Sequence, residues 1–144
     1  MKKKTGAKKH TPLKIRVSHT RKPVDLSDVQ WQIILRRQIA EDENFNIEKI
    51  SEGLVFADYN VDNNKTSNTY KVALRSADNS LNFCSCPDFK TNQLGTCKHI
   101  EAVLLKIKSK PSLKRQLAIP YVPPYSTVYL DYKGERKVKL RIGT

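Results

Sequence analysis

The sequence predicts an α+β fold: a small antiparallel sheet with an N-terminal helix and a second helix, followed by a C-terminal β-hairpin. Three observations lead to this class. A capping signal opens a helical run near residue 27, short runs with β periodicity and turn residues fill 45–86, and an apolar helical stripe occupies 97–109. At 144 residues the chain is expected to form one compact unit, with a tail or a second small module.

The first helix is predicted to begin at Ser27. The residues from Ser27 to Gln30 have the form of a capping box, and Leu26 is placed to pack on Trp31 as a hydrophobic staple. The apolar residues of this helix form two stripes on different sides, Val29, Ile33 and Ala40 on one and Trp31, Leu35 and Ile39 on the other. A helix with two apolar stripes requires neighbours on two sides.

The region 45–86 is predicted to be an antiparallel meander of three or four strands. Gly53 marks a turn, and Tyr70, Val72 and Leu74 alternate with more polar residues, which is typical of a half-buried strand. In chain order the strands are expected at 45–50, 54–61, 70–74 and 81–84.

The second helix is predicted over 97–109, with Pro111 just past its end. One face of it carries the apolar residues Ile100, Val103, Leu104 and Ile107. Beyond the helix, four prolines make the following stretch linker-like.

A hairpin is predicted near the C-terminal end, across a turn at Lys133-Gly134. Its strands bring Val128, Leu130 and Tyr132 opposite Val138, Leu140 and Ile142. Because two isolated strands are marginally stable in water, this hairpin is expected to join a further sheet, as the start of a further domain.

The formal net charge of +13 is distributed unevenly. Residues 1–23 carry nine Lys and Arg and no acid, residues 24–105 are net acidic, and residues 106–144 are strongly basic again. Such basic ends attract nucleic-acid phosphates, and a solubilising tail is the alternative for the first of them. The predicted organisation is a basic disordered arm over 1–23, a folded domain over 24–110, and a proline-containing linker with the hairpin over 111–144.

Composition excludes several classes of protein. The longest apolar runs have four residues, so no membrane-spanning segment is expected, and the basic N-terminus lacks the apolar stretch of a secretory signal. Three cysteines cannot all pair, which argues against a secreted disulfide scaffold. We therefore expect a cytoplasmic protein, in the cytosol or nucleoid, with neither a membrane partner nor a small-molecule substrate.

The informative motif is Cys84-Ser85-Cys86, ten residues, and then Cys97-Lys98-His99. Three sulfurs and one imidazole in two close pairs are what a tetrahedral Zn²⁺ requires. Residues i and i+2 of an extended strand project to one face, so Cys84 and Cys86 can reach one ion. Residues i and i+2 diverge in a helix, so Cys97 is expected at the helix cap and His99 in the first turn.

Local residues support this arrangement and define a predicted metal unit over 81–109. Gly95 permits the unusual backbone angles of the approach to Cys97, and Thr96 offers a capping hydroxyl. Four protein ligands leave no coordination position for a reactive water, which favours one structural Zn²⁺ over a catalytic ion.

Other interpretations of the motif stay open. The cysteines are also compatible with ordinary core positions, with a Cys97–His99 nucleophilic dyad, or with iron–sulfur ligation. His10 and His19 lie in the predicted arm and are not expected to be ligands.

The motif and its surroundings resemble a known family. Cys-x-Cys followed by Cys-x-His is similar to the SWIM-type zinc finger. The whole segment 84–101 resembles, nearly residue for residue, the SWIM segment before the motor of bacterial SWI/SNF-type DEAD/DEAH-box helicases. The helix with Trp31 and Arg36-Arg37 and the C-terminal hairpin are also similar to the region that precedes that motor.

The resemblance implies a ββα-like metal unit and a DNA-binding or protein-binding role. On the DNA interpretation, phosphate contacts are expected from Lys90, Lys98, Lys106, Lys108, Lys110, Lys114 and Arg115. The alternative is a protein-interaction or autoregulatory module that docks on a helicase motor domain through helix 27–41. No Walker-type loop or Asp-Glu-rich helicase motif is present in these residues, so the chain itself is not expected to be an enzyme.

Overall fold

The computed structural model describes residues 16–131 and 135–144. In chain order its elements are α1 (Asp28–Asp42), β1 (Phe45–Lys49), β2 (Asp58–Asn63), β3 (Asn68–Ala73), β4 (Phe83–Cys84), α2 (Pro87–Thr91), α3 (Lys98–Lys108), α4 (Pro111–Leu117), β5 (Thr127–Asp131) and β6 (Lys137–Arg141). The α+β class is confirmed. None of the described helices is long and apolar enough to cross a lipid bilayer.

The four-stranded sheet is an antiparallel meander in the order β1-β2-β3-β4, as the sequence predicts. Its inner face presents Val61, Val72 and Leu74, all fully buried, to the core that the sheet shares with α3. The predicted apolar stripe of α3 is confirmed, since its members Ile100, Val103, Leu104 and Ile107 are all buried in that core.

Helix α1 starts with the predicted capping box. The amide of Gln30 donates to Ser27 Oγ at 3.2 Å, and the Gln30 side chain accepts from the Ser27 amide at 2.9 Å. These reciprocal bonds satisfy two donors that a helix start leaves unpaired. The helix packs against α3 and buries Leu35 and Ala40.

Residues 16–23 differ from the free arm that their charge predicts. Gln38 of α1 bonds both backbone groups of Val17, and the indole of Trp31 donates to the carbonyl of Ser18 at 2.9 Å. Residues 16–23 therefore cover one side of α1, because polar and aromatic side chains of α1 form hydrogen bonds with the backbone of this segment. The rest of the predicted arm, residues 1–15 with His10, lies outside the described residues.

Two strands are shorter than predicted. Strand β2 starts at Asp58, because residues 51–57 form turns, in which Gly53 has φ +115°. The amide of Ile50 donates to the Asp58 carbonyl and so closes this loop. Strand β4 starts at Phe83, because the buried side chain of Asn82 bonds back to the 75–76 backbone rather than extending the ladder.

The predicted linker over 111–124 is partly wrong. Pro111 occupies the first turn of α4, where a missing amide costs nothing, and Leu117 is buried in the same core as α3. The folded unit therefore extends beyond residue 110.

The predicted hairpin is present. Strands β5 and β6 form a separate two-stranded sheet in which Val128 pairs with Leu140 and Leu130 with Val138. The predicted turn at Lys133-Gly134, like Tyr132, lies outside the described residues.

Candidate metal centre

The four predicted ligands converge on one point. Cys84, Cys86, Cys97 and His99 are all buried, and their ligand atoms lie within 4.8 Å of one another. His99 Nδ1 is 3.8 Å from Cys84 Sγ and 3.9 Å from Cys97 Sγ. The edges of a tetrahedral zinc site with sulfur and nitrogen ligands are roughly 3.6–3.8 Å long, so the cluster is suited to one Zn²⁺.

The first pair of ligands comes from the end of the sheet. Cys84 ends β4, and its partner in β3 is Val72, which holds this strand end in register. Cys86 then forms the N-cap of the short helix α2, with Pro87 in the first turn. Cys86 Sγ accepts the amide of Phe89 at 3.4 Å, an interaction that favours a thiolate.

The second pair sits at the start of α3. Cys97 is the N-cap, in extended backbone, and His99 lies in the first turn, as predicted. Gly95 has φ +73°, which confirms the unusual backbone before Cys97. The predicted capping role of Thr96 is wrong, because its buried hydroxyl donates to Glu101 Oε1 at 2.8 Å and α3 has no side-chain cap.

Two aromatic rings fix the imidazole of His99. Phe45 meets it edge-on with ring centroids 5.3 Å apart, and Tyr70 lies tilted against it at 4.6 Å. With Nδ1 toward the cysteines, Nε2 is buried and has no hydrogen-bond partner in the part of the chain that the structure describes. Aromatic packing, more than a hydrogen bond, therefore sets the orientation of this ligand.

The three cysteine thiols lie so close together that their pKa values shift in different directions. The neighbouring Cys86 raises the pKa of Cys84 to about 12, whereas hydrogen bonds from Cys84 and Cys97 lower the pKa of Cys86. The contacts of Cys97 with Cys84 and Cys86, together with its burial, raise its pKa. The protein groups alone thus favour one thiolate held by two thiols. Three thiolates in this space require a cation, and a thiophilic divalent ion such as Zn²⁺ fits that donor set.

Carboxylates beside the ligands were missed by the sequence analysis. Asp88 and Glu101 each follow the second ligand of a pair by two residues, and each accepts from an arginine of α1, Arg36 and Arg37 respectively. The sequence did hold one indication of these carboxylates, since an acidic residue follows both Cys86 and His99 at the same spacing of two residues.

The predicted phosphate-binding residues fall into two groups. Lys98 pairs with Glu43 at 2.9 Å, and Lys106 donates to the Ile47 carbonyl at 2.6 Å, so both are engaged within the domain. The remaining five are exposed: Lys90 on α2, and Lys108, Lys110, Lys114 and Arg115 where α3 meets α4. The last four form the α3–α4 basic surface. His19 is exposed and lies apart from the cluster.

Substituting Gly95 is expected to weaken zinc binding. A Cβ at Gly95 would lie 2.5 Å from the Asn79 carbonyl oxygen, and φ +73° is costly for alanine, so Gly95→Ala strains the approach to Cys97 by about 1–3 kcal/mol. Gly53→Ala is the matched control, since Gly53 has φ +115° and an equally close carbonyl, that of Phe56, in a turn away from the cluster. Competition with a chromophoric chelator measures both. We expect a larger loss of zinc affinity for Gly95→Ala, and equal losses would contradict this.

Comparison with known proteins agrees with the geometry. Residues 60–108 match the SWIM zinc finger family, a span that holds all four ligands and excludes α1 and the hairpin. A search of curated proteins and a search of solved structures each gave no significant match.

Proposed function

We propose that the zinc-binding module presents the α3–α4 basic surface to nucleic acid, with DNA favoured. Residues 60–108 of this module match the SWIM zinc finger. In this proposal the zinc is structural, the chain is not itself an enzyme, and the module serves as an accessory part of a SWI/SNF-type helicase. The family match and the four-ligand cluster support zinc binding. The nucleic-acid role rests on the exposed cations of the α3–α4 basic surface.

A structural role for zinc follows from the ligand set. Three cysteines and one histidine fill a tetrahedral coordination shell, whereas catalytic zinc sites keep a position for water or substrate. The burial of all four ligands also separates the ion from solvent. The cluster therefore joins the end of β4 to the start of α3, and so fixes the helix that leads to the basic surface.

The α3–α4 basic surface is the observation that carries the nucleic-acid proposal. Among the described residues, the side chains of these four cations have no hydrogen-bond or ion-pair partner, and all four are exposed. No acidic residue occurs in the sequence between Glu101 and Asp131, so no carboxylate from this stretch offsets them. Free, clustered cations on a folded scaffold are typical of surfaces that bind phosphates.

The outer face of the sheet contrasts with this surface. It carries Glu48, Asp58 and Asp62, with Lys71 paired to Asp58 at 3.3 Å. Arg75 also pairs with Asp58 on this face, at 2.6 Å, so its cations are engaged by carboxylates, whereas those of the α3–α4 basic surface are not. A polyanion is therefore attracted more strongly to the α3–α4 basic surface than to this face.

Docking on a helicase motor through helix 27–41 stays a prediction. Helix α1 packs against α3 on one side and is covered by residues 16–23 on another. Its most accessible apolar side chain is then Val29, which is 54% exposed. The observations therefore favour the nucleic-acid proposal over docking through this helix.

Salt-dependent binding of random-sequence duplex DNA tests the proposed function. Each phosphate contact contributes about 0.9 to the slope of log affinity against log salt, so Lys110→Ala with Lys114→Ala should reduce that slope by about two, uniformly across sequences. Lys65→Ala, which removes an exposed charge from the β2–β3 turn, should leave the slope unchanged. A flat salt response of the wild-type chain, or an unchanged slope in the double variant, would overturn the proposal.

A further inference from the structure

We propose that Arg36 and Arg37 are positioning residues of the zinc centre, each holding one of its two halves against α1. The inference rests on zinc binding by the Cys84–His99 cluster. It goes beyond the SWIM match, because α1 lies outside residues 60–108.

Arg36 holds the half that contains Cys84 and Cys86. Its guanidinium donates two hydrogen bonds to Asp88, from Nε to Oδ2 at 2.9 Å and from Nη2 to Oδ1 at 2.6 Å. This is the bidentate geometry that arginine and carboxylate favour. Nη1 is fixed in turn by the Gln32 carbonyl and side chain. Asp88 lies in the first turn of α2, whose N-cap is Cys86, so this pair sets the position of that thiolate.

Arg37 holds the half that contains Cys97 and His99. Its Nε donates to Glu101 Oε2 at 3.0 Å, and Glu101, at 1% exposure, is one of the most deeply buried side chains of the domain. The other oxygen, Oε1, accepts from Thr96 Oγ1 at 2.8 Å and from Asn79 Nδ2 at 3.2 Å. Since Thr96 immediately precedes Cys97, the Glu101 carboxylate ties the ligand loop to α3, and Arg37 supplies its countercharge.

Adjacent positions explain how one helix reaches both halves. Successive residues of an α-helix project about 100° apart, so Arg36 and Arg37 diverge from one turn of α1 toward α2 and α3. A third pair, Lys98 with Glu43 at the C-cap of α1, adds to the same contact. The two ligand pairs are thus joined through α1 as well as through the metal.

Charge gives the two arginines a second effect on the site. Three thiolates, one neutral imidazole and Zn²⁺ carry a net charge of −1, and the carboxylates of Asp88 and Glu101 add negative charge beside it. Arg36 and Arg37 pair with these carboxylates, so neither acid is left without a countercharge beside the buried cluster.

Zinc competition on the full chain tests the proposal. Losing a hydrogen-bonding partner beside metal ligands typically lowers metal affinity 10–100-fold, and we expect such a loss for Arg36→Ala and for Arg37→Ala. Arg16→Ala is the matched control, because Arg16 pairs with Asp42 on the same helix without touching residues near the ligands. Its zinc affinity should stay within about threefold of wild type.

Compensating variants separate positioning from general destabilisation. In a Glu101→Gln background, where no buried carboxylate needs a countercharge, Arg37→Ala should cost less than about threefold. The charge swap Arg36→Glu with Asp88→Arg should recover most of the affinity that Arg36→Ala loses. If either defect persists unchanged in its compensating background, the arginines act only on stability and the proposal is overturned.

Two further readouts complete the test. Fluorescence of Trp31, the single tryptophan, reports whether each variant remains folded around α1, where the indole donates to the Ser18 carbonyl, and the Co²⁺ spectrum of each variant reports the thiolate ligand set directly. Single variants that bind zinc as tightly as wild type overturn the inference alone. A wild-type chain that binds no zinc overturns zinc binding itself, and loss of DNA binding with zinc retained leaves this inference standing.

Discussion

Removing zinc is expected to unfold residues 24–117. Structural zinc sites of this kind contribute about 10–16 kcal/mol of apparent binding free energy coupled to folding, while whole domains are stable by only about 5–15 kcal/mol. With a chelator in excess, far-ultraviolet circular dichroism should lose the helical signal of α1 and α3, and readdition of zinc should restore it. The same loss is expected as pH falls, because the ligands bind zinc only when deprotonated.

Substitution of a ligand separates zinc loss from effects of the chelator. His99→Ala should reproduce the unfolded spectrum even with zinc present, since it removes the buried imidazole that faces two sulfurs. His19→Ala is the matched control, because His19 is exposed and distant from the cluster, and it should leave the spectrum unchanged. A chelated chain that keeps its helical signal and a cooperative thermal transition would contradict the prediction.

Truncation of Leu74 is expected to produce the second largest loss. Leu74 is fully buried where the sheet meets α3, and its amide is bonded to the Ala57 carbonyl, so the surroundings have little freedom to collapse into the space left by alanine. Leu74→Ala should therefore lower the free energy of unfolding by about 2–5 kcal/mol. Urea unfolding at saturating zinc, followed by Trp31 fluorescence, measures it.

The control for Leu74 lies on the hairpin. Leu140 is 62% exposed, so Leu140→Ala removes the same atoms from a largely solvated position and should change the free energy of unfolding by less than about 0.5 kcal/mol. Equal losses in the two variants would show that Leu74 does not carry the core contact assigned to it.

The metal centre was largely predictable because its determinants are local. An extended Cys84–Cys86 pair, the glycine with positive φ two residues before Cys97, and the divergence of i and i+2 in a helix each depend on a few neighbouring residues. The ligand spacing therefore placed both pairs, and the structure confirms that all four side chains meet.

Contacts across long sequence separations were not predictable in the same way. Arg37 and Glu101 are 64 residues apart, and Arg36 and Asp88 are 52 apart, so nothing in either local sequence indicates its partner. Thr96 illustrates the same difficulty, because a hydroxyl before a helix predicts a cap unless a buried carboxylate competes for it, as Glu101 does.

Helix α4 and residues 16–23 show what packing alone decides. Prolines and charge predict a linker and a free arm, yet Leu117 is drawn into the core and the Val17 backbone is satisfied by Gln38. By itself the sequence determined the fold class, the meander and the zinc ligands, because periodicity and spacing are properties of short segments. Only the tertiary structure decided which cations stay free and which side chains hold the ligands, because those depend on what each residue meets after the chain has folded.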